Sequence, residues 1–74
     1  MDEKMILQDV LGAIVKNFQR EYPKLNYNIV DCLDSSYEVV IIASGDCFKT
    51  KKFRNNATIR DIYSWIKQAS DYLG

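Results

Sequence analysis

Hydrophobic residues recur at every third or fourth position over residues 5–21, and charged residues occupy the opposite side. This spacing is typical of an amphipathic helix, which buries one face and exposes the other. The hydrophobic positions are Leu7, Val10, Leu11, Ile14 and Phe18, widened by Val15 and Tyr22. We expect Asp2 to cap the start of this helix. Pro23 ends it because proline forces the preceding residue away from helical geometry.

The same periodicity returns from Thr58 to about Tyr72 and predicts a second helix. Its apolar stripe consists of Ile59, Ile62, Ile66, Ala69 and Leu73. Thr58 and Asp61 have the spacing of a capping box, with aspartate in place of the usual glutamate or glutamine. Trp65 and Tyr72 lie above one another on this helix, about 90–100° away from the centre of the stripe.

Between the helices the pattern changes to that of three strands, over residues 25–33, 37–44 and 47–53. The second of these, "YEVVIIAS", contains four consecutive β-branched residues, which favour strands. Turn formers separate the strands, and Asn55-Asn56 breaks the third. The order α-β-β-β-α predicts a single α+β domain over residues 1–74. We expect a three-stranded antiparallel meander sheet with both helices packed on one face.

The turn at Gly45-Asp46 matches a two-residue hairpin loop, which would pair Ile41 with Thr50 and Ala43 with Phe48. Side chains alternate across a strand, so each strand divides between the two faces of the sheet. The face that we expect the helices to cover carries Val39, Ile41, Ala43, Phe48 and Thr50. The face that we expect to be open to water carries Val40, Ile42, Lys49, Lys51 and Phe53.

For the first hairpin, a two-residue loop at Ser35-Ser36 would direct Val30 and Cys32 into the core. The same register directs Tyr27, Ile29 and Asp31 outward. A three-residue loop would instead bury Asp31 beside Val39, which is costly for an unpaired carboxylate, so we favour the first register. It places Cys32 and Cys47 on opposite faces. We therefore expect no disulfide, with Cys32 the more buried of the two.

Charge is unevenly distributed along a chain of 74 residues whose formal net charge is zero. Within residues 46–60 a single acid, Asp46, faces five basic residues, so the rest of the chain carries an excess of four negative charges. The five are Lys49, Lys51, Lys52, Arg54 and Arg60. Zero net charge argues against a general affinity for nucleic acid. No apolar run could span a membrane and no signal peptide is recognised, so we expect a cytoplasmic protein without a membrane partner.

The residue inventory also limits catalysis. The chain has no histidine, so it lacks Ser-His and Cys-His nucleophile pairs and histidine metal ligands. Its three glycines are scattered, which excludes a glycine-rich phosphate loop. Asp31, Asp34 and Glu38 lie near a turn without the spacing of a calcium loop. We therefore expect neither an enzyme nor a bound cofactor or metal.

Two candidate contact surfaces remain. One is the open sheet face, where Tyr27, Lys49, Lys51 and Phe53 are expected, continued along the chain by Lys52 and Arg54. Aromatic rings with lysines form platforms for single-stranded nucleic acid, but lysines also solvate apolar faces and protect edge strands. The other is the pair Trp65 and Tyr72, which either flanks the core against the first helix or forms an exposed interface.

The order of the elements is shared with the double-stranded RNA-binding domain. That family starts its second helix with a basic K-K-x-A-K segment and has a G-P-x-H-like loop between its first strands. The corresponding stretches here are "NNATIRD" and "LDSSYE". Because neither motif is present, we transfer no residue role from that family.

Three functions are compatible with these features. The first, which we favour, is a non-catalytic protein-binding module that uses the open sheet face, the Trp65/Tyr72 pair or both. Small domains of this kind are often inhibitors or adaptors, including those carried by phages and mobile elements, although fold alone does not imply function. The second is a nucleic-acid binder that uses Lys49, Lys51, Lys52 and Arg54. The third is a homodimer or larger homo-oligomer.

Overall fold

The computed structural model describes residues 3–54 and 56–74, so Asp2 and Asn55, the expected cap and strand breaker, lie outside it. The elements are α1 (Glu3–Glu21), β1 (Asn26–Asp31), β2 (Tyr37–Ile42), β3 (Phe48–Phe53) and α2 (Ile59–Leu73). The strands form one antiparallel sheet in the order β1-β2-β3. The expected α-β-β-β-α order and α+β class are confirmed.

Local signals act at the helix ends as expected. The Thr58 backbone is extended (φ −87°, ψ 158°), and its Oγ1 accepts a hydrogen bond from the Asp61 N–H at 3.1 Å. This bond satisfies one of the backbone donors left without a partner at the start of α2. Helix α1 ends at Glu21, two residues before Pro23, which is where the restriction imposed by proline predicts its end.

Both helices lie on the same face of the sheet and share one core with it. Helix α1 contributes Leu7, Leu11, Ile14, Val15 and Phe18, and α2 contributes Ile62, Ile66 and Ala69. The sheet contributes Tyr27, Tyr37, Val39, Ile41 and Phe53, and Leu25 precedes β1. Ile59, which was expected in the apolar stripe of α2, is instead 63% exposed because it lies in the first turn, beyond the sheet-facing residues.

The second hairpin differs from its expected register by one residue. Ile41 pairs with Lys49 rather than with Thr50. The Ala43 N–H donates to the Cys47 carbonyl at 2.9 Å, so three residues lie between them, and Gly45 has a φ of +76° that favours glycine. A shift of one residue moves every side chain of a strand to the opposite face of the sheet.

The expected faces of β3 are therefore wrong. Lys49, Lys51 and Phe53 lie on the helix side of the sheet, whereas Phe48 and Thr50 lie on the open side. Burial gives the physical reason, since Phe53 is 3% exposed beneath α2 and Phe48 is 61% exposed. The expected placement of Val40 and Ile42 on the open side is confirmed by their alternation with the buried Val39 and Ile41.

The first hairpin also departs from its expected register. Tyr27 pairs with Ile41, Ile29 with Val39 and Asp31 with Tyr37, so Tyr27 and Ile29 face the helices. The Cys32 N–H donates to the Ser36 carbonyl at 2.9 Å, which leaves a loop of residues 33–35.

This register buries the Tyr27 ring and leaves Val30 45% exposed on the open side. The expected core position of Val30 and Cys32 is thus wrong. Cys32 is half-buried and Cys47 exposed, and both are free thiols, which confirms the expected absence of a disulfide.

Candidate functional site

The observed register brings the lysines of β3 next to the aromatic residues of α2. The Lys49 Nζ lies 4.5 Å from the centroid of the Tyr72 ring. Phe53 and Trp65 make an edge-on contact with ring centroids 5.9 Å apart, and the Lys51 Nζ lies 5.9 Å from the Phe53 centroid. The lysines expected on the open sheet face and the Trp65/Tyr72 pair therefore belong to one surface on the helix side.

This surface is a groove between the outer strand and the last helix. A hollow of about 540 Å³ and a second of about 220 Å³ adjoin there, because Trp65 and Gln68 line both. Both open to solvent. We call the combined feature the β3–α2 groove, and its principal lining residues are Lys49, Lys51, Phe53, Arg54, Trp65, Gln68 and Tyr72.

Helical spacing explains the α2 wall of the groove. Asp61, Trp65, Gln68 and Tyr72 succeed one another at three- or four-residue intervals and so share a side of the helix. The buried residues of α2 occupy the neighbouring side. Trp65 is half-buried and Tyr72 is 76% exposed. Trp65 thus flanks the core, which was one of the two alternatives for the Trp65/Tyr72 pair. It packs against β3, however, and not against α1 as that alternative expected.

The groove has an excess of positive charge. Lys49, Lys51 and Arg54 line it, and Asp61 is the acid among the described lining residues. The Lys52 side chain points to the open side of the sheet by register, although the residue also lines the larger hollow. A ligand in the groove would therefore meet cations from the strand and aromatic surface from the helix.

Lys52 already has an acidic neighbour in its own chain. Its Nζ lies 3.8 Å from the Asp34 Oδ2 across the end of the sheet. The Ser36 hydroxyl donates to the other carboxylate oxygen of Asp34 and, with a smaller contribution from Lys52, holds the pKa of Asp34 below its usual range. Because both charged side chains are about half exposed, the ion pair itself contributes little to stability.

Tyr27 does not belong to the contact surface, which corrects the expectation from the sequence. Its ring is buried in the core, and its hydroxyl lies 2.6 Å from the Ser70 Oγ of α2. Burial raises the pKa of Tyr27. Phe53 is also buried and serves as the floor of the groove rather than as an exposed contact.

Sequence reasoning missed two features, one in the groove and one on the open sheet face. Gln68 lies at its centre, and the hydrophobic pattern contains no signal for a polar residue in that position. The open sheet face carries Val30 and Phe48, which were not expected there, besides the expected Val40 and Ile42. A hollow of about 330 Å³ beside Phe48 is lined mainly by apolar side chains and is separate from the groove.

Comparison of the chain with models of protein families, with curated proteins and with solved structures gave no match. Among the described residues, no helix combines the length and apolar character needed to cross a membrane. Within residues 3–54 and 56–74, no three His, Cys, Asp or Glu side chains lie close enough together to hold a metal ion.

Proposed function

We propose that this chain is a non-catalytic protein-binding module whose contact surface is the β3–α2 groove. The observation that carries the proposal is the convergence of Lys49 and Lys51 with Trp65 and Tyr72 along one open groove. Aromatic residues enriched at interface hot spots form its wall, and charged residues form its rim. A domain of this kind acts by covering a surface of its partner, as an inhibitor or an adaptor does.

Nucleic acid is a weaker candidate for the same groove. Stacking of bases requires exposed aromatic faces. Here Phe53 is buried, Trp65 is half-buried and makes an edge-on contact with Phe53, and Lys49 lies over one face of Tyr72. Lys52 is paired with Asp34, and the chain has no net positive charge to attract phosphates.

The proposal is tested by affinity capture from lysate with and without nuclease treatment, followed by mapping of the contact. The bait variants are Trp65→Ala and Lys51→Glu in the groove. Val30→Ala, on the open face at the opposite edge of the sheet, and Lys67→Glu on the outer side of α2 are the matched controls. We expect a protein that is retained by both controls, lost with both groove variants and chemically cross-linked to Lys49 or Lys51.

Two results would contradict the proposal. A partner lost with Val30→Ala but kept with Trp65→Ala would place the contact on the open sheet face. Recovery of nuclease-sensitive material alone, abolished by Lys51→Glu, would establish a nucleic-acid binder instead. Circular dichroism of each variant separates loss of binding from loss of folding.

A further inference from the structure

Strand β3 is an outer strand of the sheet, and half of its backbone groups point away from β2. The Ala43–Cys47 hydrogen bond and the alternation of an antiparallel ladder make Lys49, Lys51 and Phe53 the residues bonded to β2. The backbone N–H and C=O groups of Phe48, Thr50 and Lys52 are therefore directed outward. Among the described residues, no further strand lies beyond β3.

The side chains beside this edge have a consistent chemistry. A strand added to β3 would place alternate side chains next to Lys49 and Lys51 on the helix side, about 4.5–5.5 Å away at the Cβ atoms. Those side chains would also meet Trp65 and Gln68, because both line the groove above β3. Carboxylates at these positions would pair with the lysines, and an apolar side chain would cover Trp65.

On this basis, and resting on the proposed function, we propose that the groove binds an acidic, extended segment of the partner protein as a fourth strand of the sheet. Backbone hydrogen bonds to Phe48, Thr50 and Lys52 supply affinity, and the lysines select for Asp or Glu at alternate positions. In strand addition of this type, main-chain hydrogen bonds provide affinity and side chains provide specificity.

Charge also argues against the β3 strand of a second copy as the occupant of the groove. Antiparallel pairing of two β3 strands about Thr50 places Lys49 of each copy opposite Lys51 of the other, and like charges directly opposite are destabilising. Lysine on an edge strand protects against such self-association. The same lysines favour a strand of opposite charge.

The experiment is a selection from a displayed library of random peptides of about twelve residues, long enough to span a strand. We expect enrichment of peptides with Asp or Glu at alternating positions. Their affinity should fall at least about tenfold for Lys49→Glu/Lys51→Glu, because two charge pairs become repulsive. It should be unchanged for the matched control Lys16→Glu/Lys67→Glu, which makes the same charge change on exposed helix positions away from the groove.

Amide hydrogen exchange then tests the strand itself. On binding of a selected peptide, the amides of Phe48, Thr50 and Lys52 should exchange more slowly, while those of Tyr27 and Ile29 on the opposite edge stay unchanged. Thr50→Pro removes one outward N–H without removing a bond to β2 and should abolish binding. Thr50→Val, which also loses the hydroxyl but keeps the N–H, should retain it.

The inference is overturned by absence of enrichment, by enrichment of neutral or basic peptides, or by binding that leaves the three amides unprotected. Competition by oligothymidylate, or self-association that Thr50→Pro abolishes, would also overturn it. If selected peptides bind the groove without acidic preference or amide protection, the strand model fails while the protein-binding function stands. Loss of the lysate partner with Val30→Ala alone would defeat the proposed function itself.

Discussion

Trp65 meets Phe53 edge-on, with ring centroids 5.9 Å apart and ring planes inclined by 74°. This arrangement is favourable for aromatic pairs because the positive edge of one ring faces the negative surface of the other. It joins the end of β3 to the middle of α2. It also requires Phe53 to face the helices, which the observed register of the second hairpin allows and the register expected from the sequence does not.

The two phenylalanines of β3 provide a direct test of that register. Phe53→Ala should lower the free energy of unfolding by about 3–5 kcal/mol, because it leaves a cavity in the core. Phe48→Ala should change it by no more than about 0.5 kcal/mol, since the side chain is exposed.

Urea denaturation measures both values. If Phe53→Ala proves too unstable to purify, Phe53→Leu is expected to cost less than about 1.5 kcal/mol and still exceed Phe48→Leu. A larger loss for the Phe48 variants than for the Phe53 variants would contradict the observed register.

The hydroxyls of Tyr27 and Ser70 form a buried hydrogen bond between β1 and α2. Tyr27→Phe should cost about 1–3 kcal/mol, because it leaves the Ser70 hydroxyl buried without its partner. Ser70→Ala made on top of Tyr27→Phe should recover part of that loss. A double-mutant cycle measured by thermal unfolding gives the coupling energy. Tyr72→Phe, at an exposed tyrosine, is the control, and a coupling energy of zero would show that the bond contributes nothing.

Tyr22 should make stability decline at alkaline pH. Its hydroxyl donates to Asp71, and this hydrogen bond, with the nearby negative charge, raises the pKa of Tyr22 from 10.0 to about 12. The folded-state pKa lies above that of the unfolded chain. The contribution of the bond is therefore complete below about pH 10 and is lost as the pH rises towards 12.

We accordingly expect wild type to be more stable than Tyr22→Phe at neutral pH and the difference to narrow between pH 10 and 12. Unfolding by urea at a series of pH values measures this difference. Asp71→Asn removes the carboxylate acceptor and should likewise reduce the loss of unfolding free energy between pH 10 and 12. A difference that stays constant across this range would show that the bond does not perturb the titration of Tyr22.

Asp34 should make the free energy of unfolding depend on pH in the acid range. Its pKa lies below the ordinary 3.8, mainly because the Ser36 hydroxyl donates to the carboxylate and secondarily because Lys52 is nearby. A depressed folded-state pKa contributes stability that is present above the unfolded value and is lost as the pH falls through the folded one. Ser36→Ala should therefore flatten the acid-side decline in the free energy of unfolding more than Lys52→Gln does. The reverse order would contradict the hydrogen bond as the main cause.

The order of the elements and the helix boundaries at Glu21 and Thr58 could be read from the chain because their signals are local, whereas each strand is one to three residues shorter than expected. The spacing of Leu7, Leu11 and Phe18 depends only on the helical repeat, and Thr58 caps α2 through a bond to its own neighbour Asp61. The alternation of Val39 and Ile41 with Val40 and Ile42 divided β2 into two faces. The expectation that Val39 and Ile41 face inward is confirmed, although it rested on lysines that the structure places on that same inward side.

The hairpin registers depend on long-range contacts rather than on local signals. Gly45-Asp46 is compatible with loops of two or three residues, and the difference of one residue exchanges the faces of β3. The choice is made by burial of Phe53 under α2 and, in the first hairpin, by burial of Tyr27 with its bond to Ser70. These contacts join residues that are far apart in sequence, so no turn signal contains them.

The sequence by itself therefore determined the five elements, the α+β class, the basic third strand and the aromatic pair on the last helix. Tertiary structure alone decided that Lys49 and Lys51 lie beside Trp65 and Tyr72 in one groove and that Tyr27 is buried away from it. The physical reason is that a strand has two equivalent sides until the core selects one. Packing of the largest apolar side chains makes that selection, and the charged residues between them follow.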